Sequence, residues 1–310
     1  MTLDALLAVD KPSGPTSHDV VAEVRRLAGQ RRVGHTGTLD PFATGVLPLC
    51  LGRATRLSRF MAGSRKVYEA TLKLGLDTDT YDALGRPVRQ RDASGISAAQ
   101  VREAALRFAG EIDQVPPPYS ARRIAGKRLH ELARSGRPVL LPASRVTIHR
   151  LEISDVDGPL VHFVTEVSAG TYIRSLARDI GEALGCGAHL AALRRTSAGR
   201  ITLDQAHDMD EVRAAAAAGT LTDLMVTIDR IDLGLPTAVA NAIGAEAVRN
   251  GRPLASEHLC EWPAEPIAAG GPVRVVDGAG RLLSVAMAGA GASGALSLHP
   301  SVVLYSPSEG

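Results

Sequence analysis

Gly34-His35-Thr36-Gly37-Thr38-Leu39-Asp40-Pro41, continuing as Phe42-Ala43-Thr44-Gly45-Val46-Leu47, concentrates glycines, a histidine, threonines, one carboxylate and a proline in a run without helical or strand period. The composition predicts a shaped loop. Its glycines let backbone approach a ligand or enter unusual φ/ψ regions. Pro41 holds Asp40 in extended conformations, where a helix cannot continue. Taken alone, an aspartate in such a loop reads as a turn residue or helix cap at least as readily as a catalytic group.

On the N-terminal side, Ala5 to Asp10 reads as a short strand that stops at Lys11-Pro12-Ser13-Gly14-Pro15. Ser17 is then expected to cap a helix running to about Ala28, with Val20, Val21, Val24 and Leu27 on one face. On the C-terminal side, a short helix is expected over Arg53 to Met61. From Lys66 to Leu74 the residues alternate, placing Tyr68, Ala70, Leu72 and Leu74 on one apolar face. Thr78 to Gly85 is a polar loop. Ser97 and Gln100 form a capping box, stapled by Ile96 and Val101, for a helix to about Phe108.

Val115-Pro116-Pro117-Pro118-Tyr119-Ser120 can be neither helix nor inner strand, and leads into a basic stretch, Arg122 to Gly136, expected to be partly helical around Leu129 and Leu132. Strands are expected near Arg145 to Ile153, Leu160 to Val167 and Leu193 to Ile201. The helix from Thr171 to Leu184 carries a buried stripe of Ile173, Leu176, Ala177, Ile180 and Leu184, with Arg174 and Arg178 off that stripe and one turn apart. Asp204 to Gly219 is helical. Ile231 to Pro236 reads as a boundary. Beyond it come a helix near Ala238 to Asn250, a hairpin of Val273–Val276 with Leu282–Val285 joined through Asp277-Gly278, and a last strand from Val302 to Tyr305. No Walker A loop, GxGxxG motif or fixed-period repeat is present.

The chain has 310 residues, 45% of them apolar, enough for a substantial core in one large and one smaller domain. Cys50, Cys186 and Cys260 are isolated and match no metal spacing, which fits a reducing cytoplasm. The N-terminus lacks a basic leader pattern, and no apolar run approaches membrane-spanning length. The net charge is +2, but from Ile231 onward four basic residues face seven acidic ones, a balance of −3. Before that point the basic residues cluster: Arg25, Arg26, Arg31 and Arg32; Arg53, Arg56, Arg59, Arg65 and Lys66; Arg122, Arg123, Lys127 and Arg128; Arg194, Arg195 and Arg200. These clusters either form one phosphate-tracking surface or are the solvated faces of separate elements.

The opening loop closely resembles the catalytic loop of the bacterial tRNA pseudouridine-55 synthases, the TruB family. The likeness continues in order through Lys11-Pro12-Ser13-Gly14-Pro15-Thr16-Ser17, Arg65-Lys66-Val67-Tyr68-Glu69-Ala70, Thr78-Asp79-Thr80 with Asp82 and Gly85, Val115 to Ala121 with Gly126-Lys127-Arg128-Leu129, Gly170-Thr171-Tyr172-Ile173-Arg174-Ser175-Leu176, and Gly185 to Leu190 with Leu193-Arg194-Arg195-Thr196. It covers roughly residues 5 to 205.

The resemblance implies an α/β (α+β) chain with a mixed, mainly antiparallel sheet of the pseudouridine synthase fold. A catalytic domain would span 1–232, with an RNA-gripping insertion at about 115–137, and a small β-rich PUA-like domain would span 233–310. It implies a stand-alone enzyme that isomerises uridine 55 in the tRNA T loop after flipping the base. Asp40 falls on the catalytic carboxylate, Arg174 on its partner, and Tyr68 on the aromatic that stacks on uracil. Tyr172 and Leu193 fall on the walls of the uridine pocket, and His35 on the residue that fills the space a flipped base leaves. Lys11, Arg122, Arg123, Lys127 and Arg128 would bind RNA. No cofactor or metal is implied, no protein partner is required, and a cytoplasmic monomer away from membranes is expected. An arginine beside Asp40 is expected to keep its pKa low.

Two features depart from the family pattern. Arg123 stands where a lysine is common, which keeps charge but changes contact geometry. The C-terminal region is acidic and rich in Gly and Ala, so its role on RNA is left open. Two other readings stay open: a tRNA-refolding protein of the same fold with catalysis secondary, and a different Asp-dependent enzyme acting at C1′, for which a second suitably spaced carboxylate is expected.

Overall fold

A computed structural model of the chain describes residues 2–118, 123–124, 127–128, 142–290 and 296–304. A ten-stranded sheet dominates it. Its main strands are β1 (Ala5–Lys11), β2 (Thr44–Leu51), β3 (Lys66–Leu74), β4 (Gly110–Gln114), β5 (Ser144–Asp157), β6 (Leu160–Val167), β7 (Ala188–Ala198) and β8 (Val226–Thr227). They lie in the order β8-β1-β2-β7-β3-β6-β5-β4, with Val33–His35 added on β2 and Ile201–Thr202 on β7. All neighbours pair antiparallel except β7 and β2, which run parallel through Arg194↔Thr44 and Arg195↔Gly45. That parallel junction lies just after the Asp40 loop. Gly45 makes it possible: its φ is +104°, and a Cβ there would sit 2.2 Å from the Arg195 carbonyl oxygen.

The alternation in β3 is as the sequence predicts, with Lys66, Tyr68, Ala70, Leu72 and Leu74 buried. Tyr68, Ala70, Leu72 and Leu74 join Leu47, Leu49 and Leu51 of β2 and the apolar stripes of two helices, α1 (Ser17–Leu27) and the helix Ile173–Ala183, in one core. The N-cap of α1 is Thr16, not Ser17. Thr16 and Asp19 close a reciprocal capping box, while the Ser17 hydroxyl is buried and exchanges hydrogen bonds with Leu39 backbone, tying the helix to the loop. The expected helix over Arg53 to Met61 is a 3-10 turn (Gly52–Leu57) followed by α2 (Ser58–Ala62). The Ser97–Gln100 capping box opens α3 (Ala98–Leu106) as expected. Ile173–Ala183, labelled α4, starts two residues later than predicted because Tyr172 is still extended. A helix capped by Asp208, α5 (Met209–Ala218), stops at left-handed Gly219. The helix expected near Leu129 and Leu132 lies outside the described residues.

A second sheet of five strands follows: β9 (Thr237–Ala240), β10 (Leu259–Glu261), β11 (Pro272–Asp277), β12 (Leu282–Ala290) and β13 (Leu296–Val303), in the order β10-β9-β11-β12-β13. The hairpin is where the sequence placed it. The predicted helix Ala238 to Asn250 is instead strand β9, parallel to β11, then α6 (Ala242–Arg249) capped by Asn241. The valine and threonine of Thr237-Ala238-Val239-Ala240 suit a pleated, half-buried position better than a helix.

The two sheets share a core. Leu6, Val46, Cys50, Leu57, Met61 and Ile228 pack with Val276, Leu282, Val285, Val302 and Leu304. Three arginines of the Gly52–Ala62 segment reinforce it. Arg53 donates to the Leu304 carbonyl (3.0 Å), Arg56 to that of Val303 (2.5 Å), and Arg59 to the Ser301 carbonyl (3.3 Å) and hydroxyl (2.5 Å). This part of the second basic cluster is therefore occupied in holding β13. No described helix is long and apolar enough to cross a membrane.

Candidate active site

Asp40 leaves its loop at the mouth of a cavity of about 290 Å³ whose walls include Gly37, Lys66, Tyr68, Tyr172, Arg174, Leu193 and Arg195. Tyr68, Tyr172, Arg174, Leu193 and Asp40, five residues named from sequence, thus meet in one place. A larger hollow of about 770 Å³ lies along the polar side of β3 and β6, beside Glu69, Thr71 and His162, but neither Asp40 nor Arg174 lines it.

Arg174 grips Asp40 with two parallel contacts: Nε to Oδ2 at 2.9 Å and Nη2 to Oδ1 at 3.0 Å. This fork geometry fixes the carboxylate in direction as well as charge. The third guanidinium nitrogen, Nη1, donates to the Thr80 carbonyl at 3.1 Å and lies 3.4 Å from Asp82 Oδ2. The arginine is not at the surface: it is buried at the start of α4. Asp82, also buried, accepts from Thr80 Oγ1 (2.6 Å) and Leu84 N–H (3.1 Å). One turn along α4, Arg178 donates to the Tyr81 hydroxyl at 3.1 Å and lies 4.7 Å above that ring. Tyr81 has a φ of +63°, a conformation a tyrosine adopts only when its surroundings impose it. Two arginines of one helix thus hold the Asp40 carboxylate, the Thr80 carbonyl and the side chains of Tyr81 and Asp82.

Burial raises the Asp40 carboxyl above its ordinary value; Arg174 opposes this and the Asp82 charge adds to it. The low pKa expected from the arginine alone is therefore corrected: desolvation and a second carboxylate outweigh it. The Asp40 side chain keeps 32% of its surface, and that surface opens on the cavity.

Lys11 was expected on RNA, and the structure puts it elsewhere. It is 0% exposed. Its ammonium donates to the carbonyls of Pro12 (2.8 Å), Pro41 (3.2 Å) and Ala43 (2.8 Å), bracketing Asp40 from behind. Burial pushes its pKa down to about 8, with Asp40 pulling the other way and Arg195 adding to the depression. Arg195 works likewise from the opposite side. Buried at 1% exposure, it donates to the carbonyls of Val46 (2.7 Å), Gly37 (3.1 Å) and Thr38 (3.5 Å). The loop is therefore clamped through its carbonyls by two buried cations.

His35, at the end of the short strand Val33–His35, packs edge-on against His18, with ring centroids 5.4 Å apart and planes at 79°. Among the described residues its buried Nδ1 meets no hydrogen-bond partner, and burial, then His18 and Arg195, lower its pKa. Gln114, buried at the end of β4, fixes Tyr172 by a pair of backbone bonds, 3.1 Å to the carbonyl and 2.8 Å from the N–H. The backbone of Arg123–Ile124 pairs with Lys127–Arg128 as a small antiparallel ribbon; Arg122 lies outside the described residues. Sequence reasoning missed the roles of Asp82, Gln114, Arg195 and His18. For Asp82 a signal existed, because it sits in a loop already singled out.

Among the described residues no group of three or more His, Cys, Asp and Glu side chains could hold a metal ion. The buried Cys50 thiol, pushed up to about 12 by burial, is inert as a nucleophile.

Residues 25–173 match the sequence model described as TruB family pseudouridylate synthase (N terminal domain), and residues 174–231 match that of the tRNA pseudouridylate synthase B C-terminal domain. A curated protein of Solibacter usitatus named tRNA pseudouridine synthase B is 42% identical over 84% of this chain and 89% of its own length. A Burkholderia mallei protein of the same name is 46% identical over 93% of this chain and 94% of its own. Among solved structures, a chain of a Cbf5-Nop10-Gar1 complex superposes with a TM-score of 0.78 at 26% identity, covering 97% of this chain and 85% of that one. A chain of an H/ACA RNP bound to a substrate RNA gives 0.77 at 24% identity, over 98% and 86%.

Proposed function

Because the chain belongs to the TruB family of pseudouridylate synthases and is thus a tRNA pseudouridine synthase, we propose that it isomerises uridine 55 in the T loop of tRNA, with Asp40 as the catalytic carboxylate. The observation that carries this reading is the two-contact grip of Arg174 on Asp40 at the wall of a cavity that also holds Tyr68.

The reaction breaks the C1′–N1 bond of uridine, turns the base, forms C1′–C5, releases the C5 proton to solvent and takes up a proton at N1. It needs no external oxidant or reductant. The cavity size suits one uracil and part of its ribose. A base in folded RNA reaches such a cavity only by leaving its stack. His35 fills the space it vacates, and the segment around 115–137, with Arg122, Arg123, Lys127 and Arg128, closes on the RNA backbone. Tyr68 stacks on the uracil, and Tyr172 and Leu193 confine it. Asp40 reacts as the carboxylate, either by adding to the nucleoside or by removing a proton. Arg174 holds it aimed and offsets its charge as the glycosidic bond breaks. The chain supplies every one of these groups itself, which supports action as a monomer without a protein partner.

Tritium release from an unmodified tRNA transcript made with 5-tritiated uridine tests this reading. One equivalent per tRNA from wild type is expected, lost in Asp40→Asn while tRNA binding persists. Tight tRNA binding by wild type without release would move the chain to the RNA-refolding reading.

A further inference from the structure

Four buried cations surround the Asp40 loop: Lys11, Lys66, Arg174 and Arg195. Among the described residues, Asp40 and Asp82 are the carboxylates that these cations engage directly, both through Arg174. Among the described residues the hydrogen-bond partners of Lys11, Lys66 and Arg195 are all carbonyls. Carbonyl dipoles satisfy donors but do not cancel charge. The four cations therefore exceed the two carboxylates they engage, in a water-poor setting where uncompensated charge is costly.

Lys11 lies behind the loop, whereas Lys66 lies on the cavity wall. Its ammonium donates to the carbonyls of Ala62 (2.5 Å) and Ser64 (2.6 Å), which among the described residues leaves the third of its donors unspent. Gly37 adds a second observation. Its φ is not in the left-handed region, so its backbone does not require glycine. A Cβ there would meet only Arg195 Nη1 at 3.6 Å and Lys66 Cε at 4.0 Å, so packing does not require glycine either. What a side chain at Gly37 would take away is the open space beside these two cations.

We propose that Lys66, beside Arg195 and under Gly37, forms an anion subsite that takes a phosphodiester of the everted nucleotide. This rests on the uridine-isomerase reading and assigns to the same cavity a second contact, on the backbone and not the base. A phosphate there balances the excess charge and accepts the third Lys66 donor. Burial, with Arg195 adding to it, has brought the Lys66 pKa down to about 8, as for a cation that lacks an anionic partner in the free protein.

The test uses tRNA T-arm RNAs with one methylphosphonate on either side of the reacting uridine, read by tritium release and filter binding. Lys66→Met is expected to raise KM by about tenfold or more, the range of a charge-assisted hydrogen bond, while kcat stays near wild type. Lys66→Arg should restore most of the loss. One of the two methylphosphonates should weaken wild type to the same degree and add nothing further in Lys66→Met. Gly37→Ala should reproduce part of the effect with an unchanged melting temperature. Losses that multiply at both linkages, or a fall in kcat with KM intact, would overturn the subsite. If Lys66→Met does not fold, Gly37→Ala against the same RNAs decides. Failure of wild type to release tritium would refute the isomerase reading instead, and filter binding of the methylphosphonate series would still score the subsite.

Discussion

Replacing Lys11 by methionine separates two roles for the same residue. The sequence suggests an RNA contact, and the structure a clamp behind Asp40. The substitution keeps the side chain's length and removes the charge. Three bonds to an ammonium are lost, each worth about 1.5–3 kcal/mol. Against this, the buried charge no longer has to be carried. The drop in pKa from 10.5 to about 8 sets that relief at roughly 3 kcal/mol. The net loss is about 1.5–6 kcal/mol, which for a chain of this size lowers the melting temperature by about 3–15 °C. The carbonyls set free are those of Pro12 and of Pro41 and Ala43, which directly follow Asp40 in the loop. A loop displaced by about 1 Å costs on the order of a hundredfold in rate. Calorimetry and tritium release should therefore show a lower melting temperature and a much lower kcat, with tRNA affinity close to wild type. The pH dependence has a defined sign. Between about pH 8 and 10.5 the unfolded chain still binds the proton that the folded chain has released, so this group increasingly favours the fold as pH rises through that window. Lys11→Met lacks that rise. An unchanged melting temperature and kcat with weakened tRNA binding would refute the clamp.

Asp40 must be ionised to act, so activity is expected to fall as pH drops through its raised pKa, with an acid limb above that of an ordinary carboxylate. Asp82→Asn removes a charge that raises this pKa and should shift the limb to lower pH; a limb that stays in place would show that Asp82 does not act on Asp40 electrostatically. Gly45→Ala drives a Cβ to 2.2 Å from the Arg195 carbonyl and should cost at least about 3 kcal/mol in chemical denaturation, in contrast to the tolerated Gly37→Ala. Combined alanine substitution of Arg53, Arg56 and Arg59 should lower the denaturant midpoint and leave the salt dependence of tRNA binding unchanged. A slope reduced by about one per arginine would place them on RNA instead.

Local chemistry was legible in the sequence. The β3 alternation, the Ser97–Gln100 box, the Asp277-Gly278 hairpin and the stripe of α4 depend on neighbours within a few residues, and all appear in the structure. What was not legible depends on partners brought together by folding. Lys11 reads as surface charge until Pro41 and Ala43 lie above it. Arg195 reads as part of a basic cluster until β7 lies beside β2. Thr237-Ala238-Val239-Ala240 reads as helix because its partner strand is more than thirty residues away. The site followed the same division. Asp40 and Arg174 carry motif signals, whereas Gln114 and His18 act through contacts that no local pattern encodes.

The arginines that hold β13 also bear on how copies of this chain behave toward one another. A strand at the margin of a sheet offers unpaired backbone groups on which another chain can build. Here Leu298 pairs with Leu254, and the Ser301, Val303 and Leu304 carbonyls are already taken by Arg59, Arg56 and Arg53. At the opposite margin β10 is only three residues long. The small sheet is thus closed to strand addition on one margin and nearly so on the other, and guanidinium groups, not a further strand, complete it.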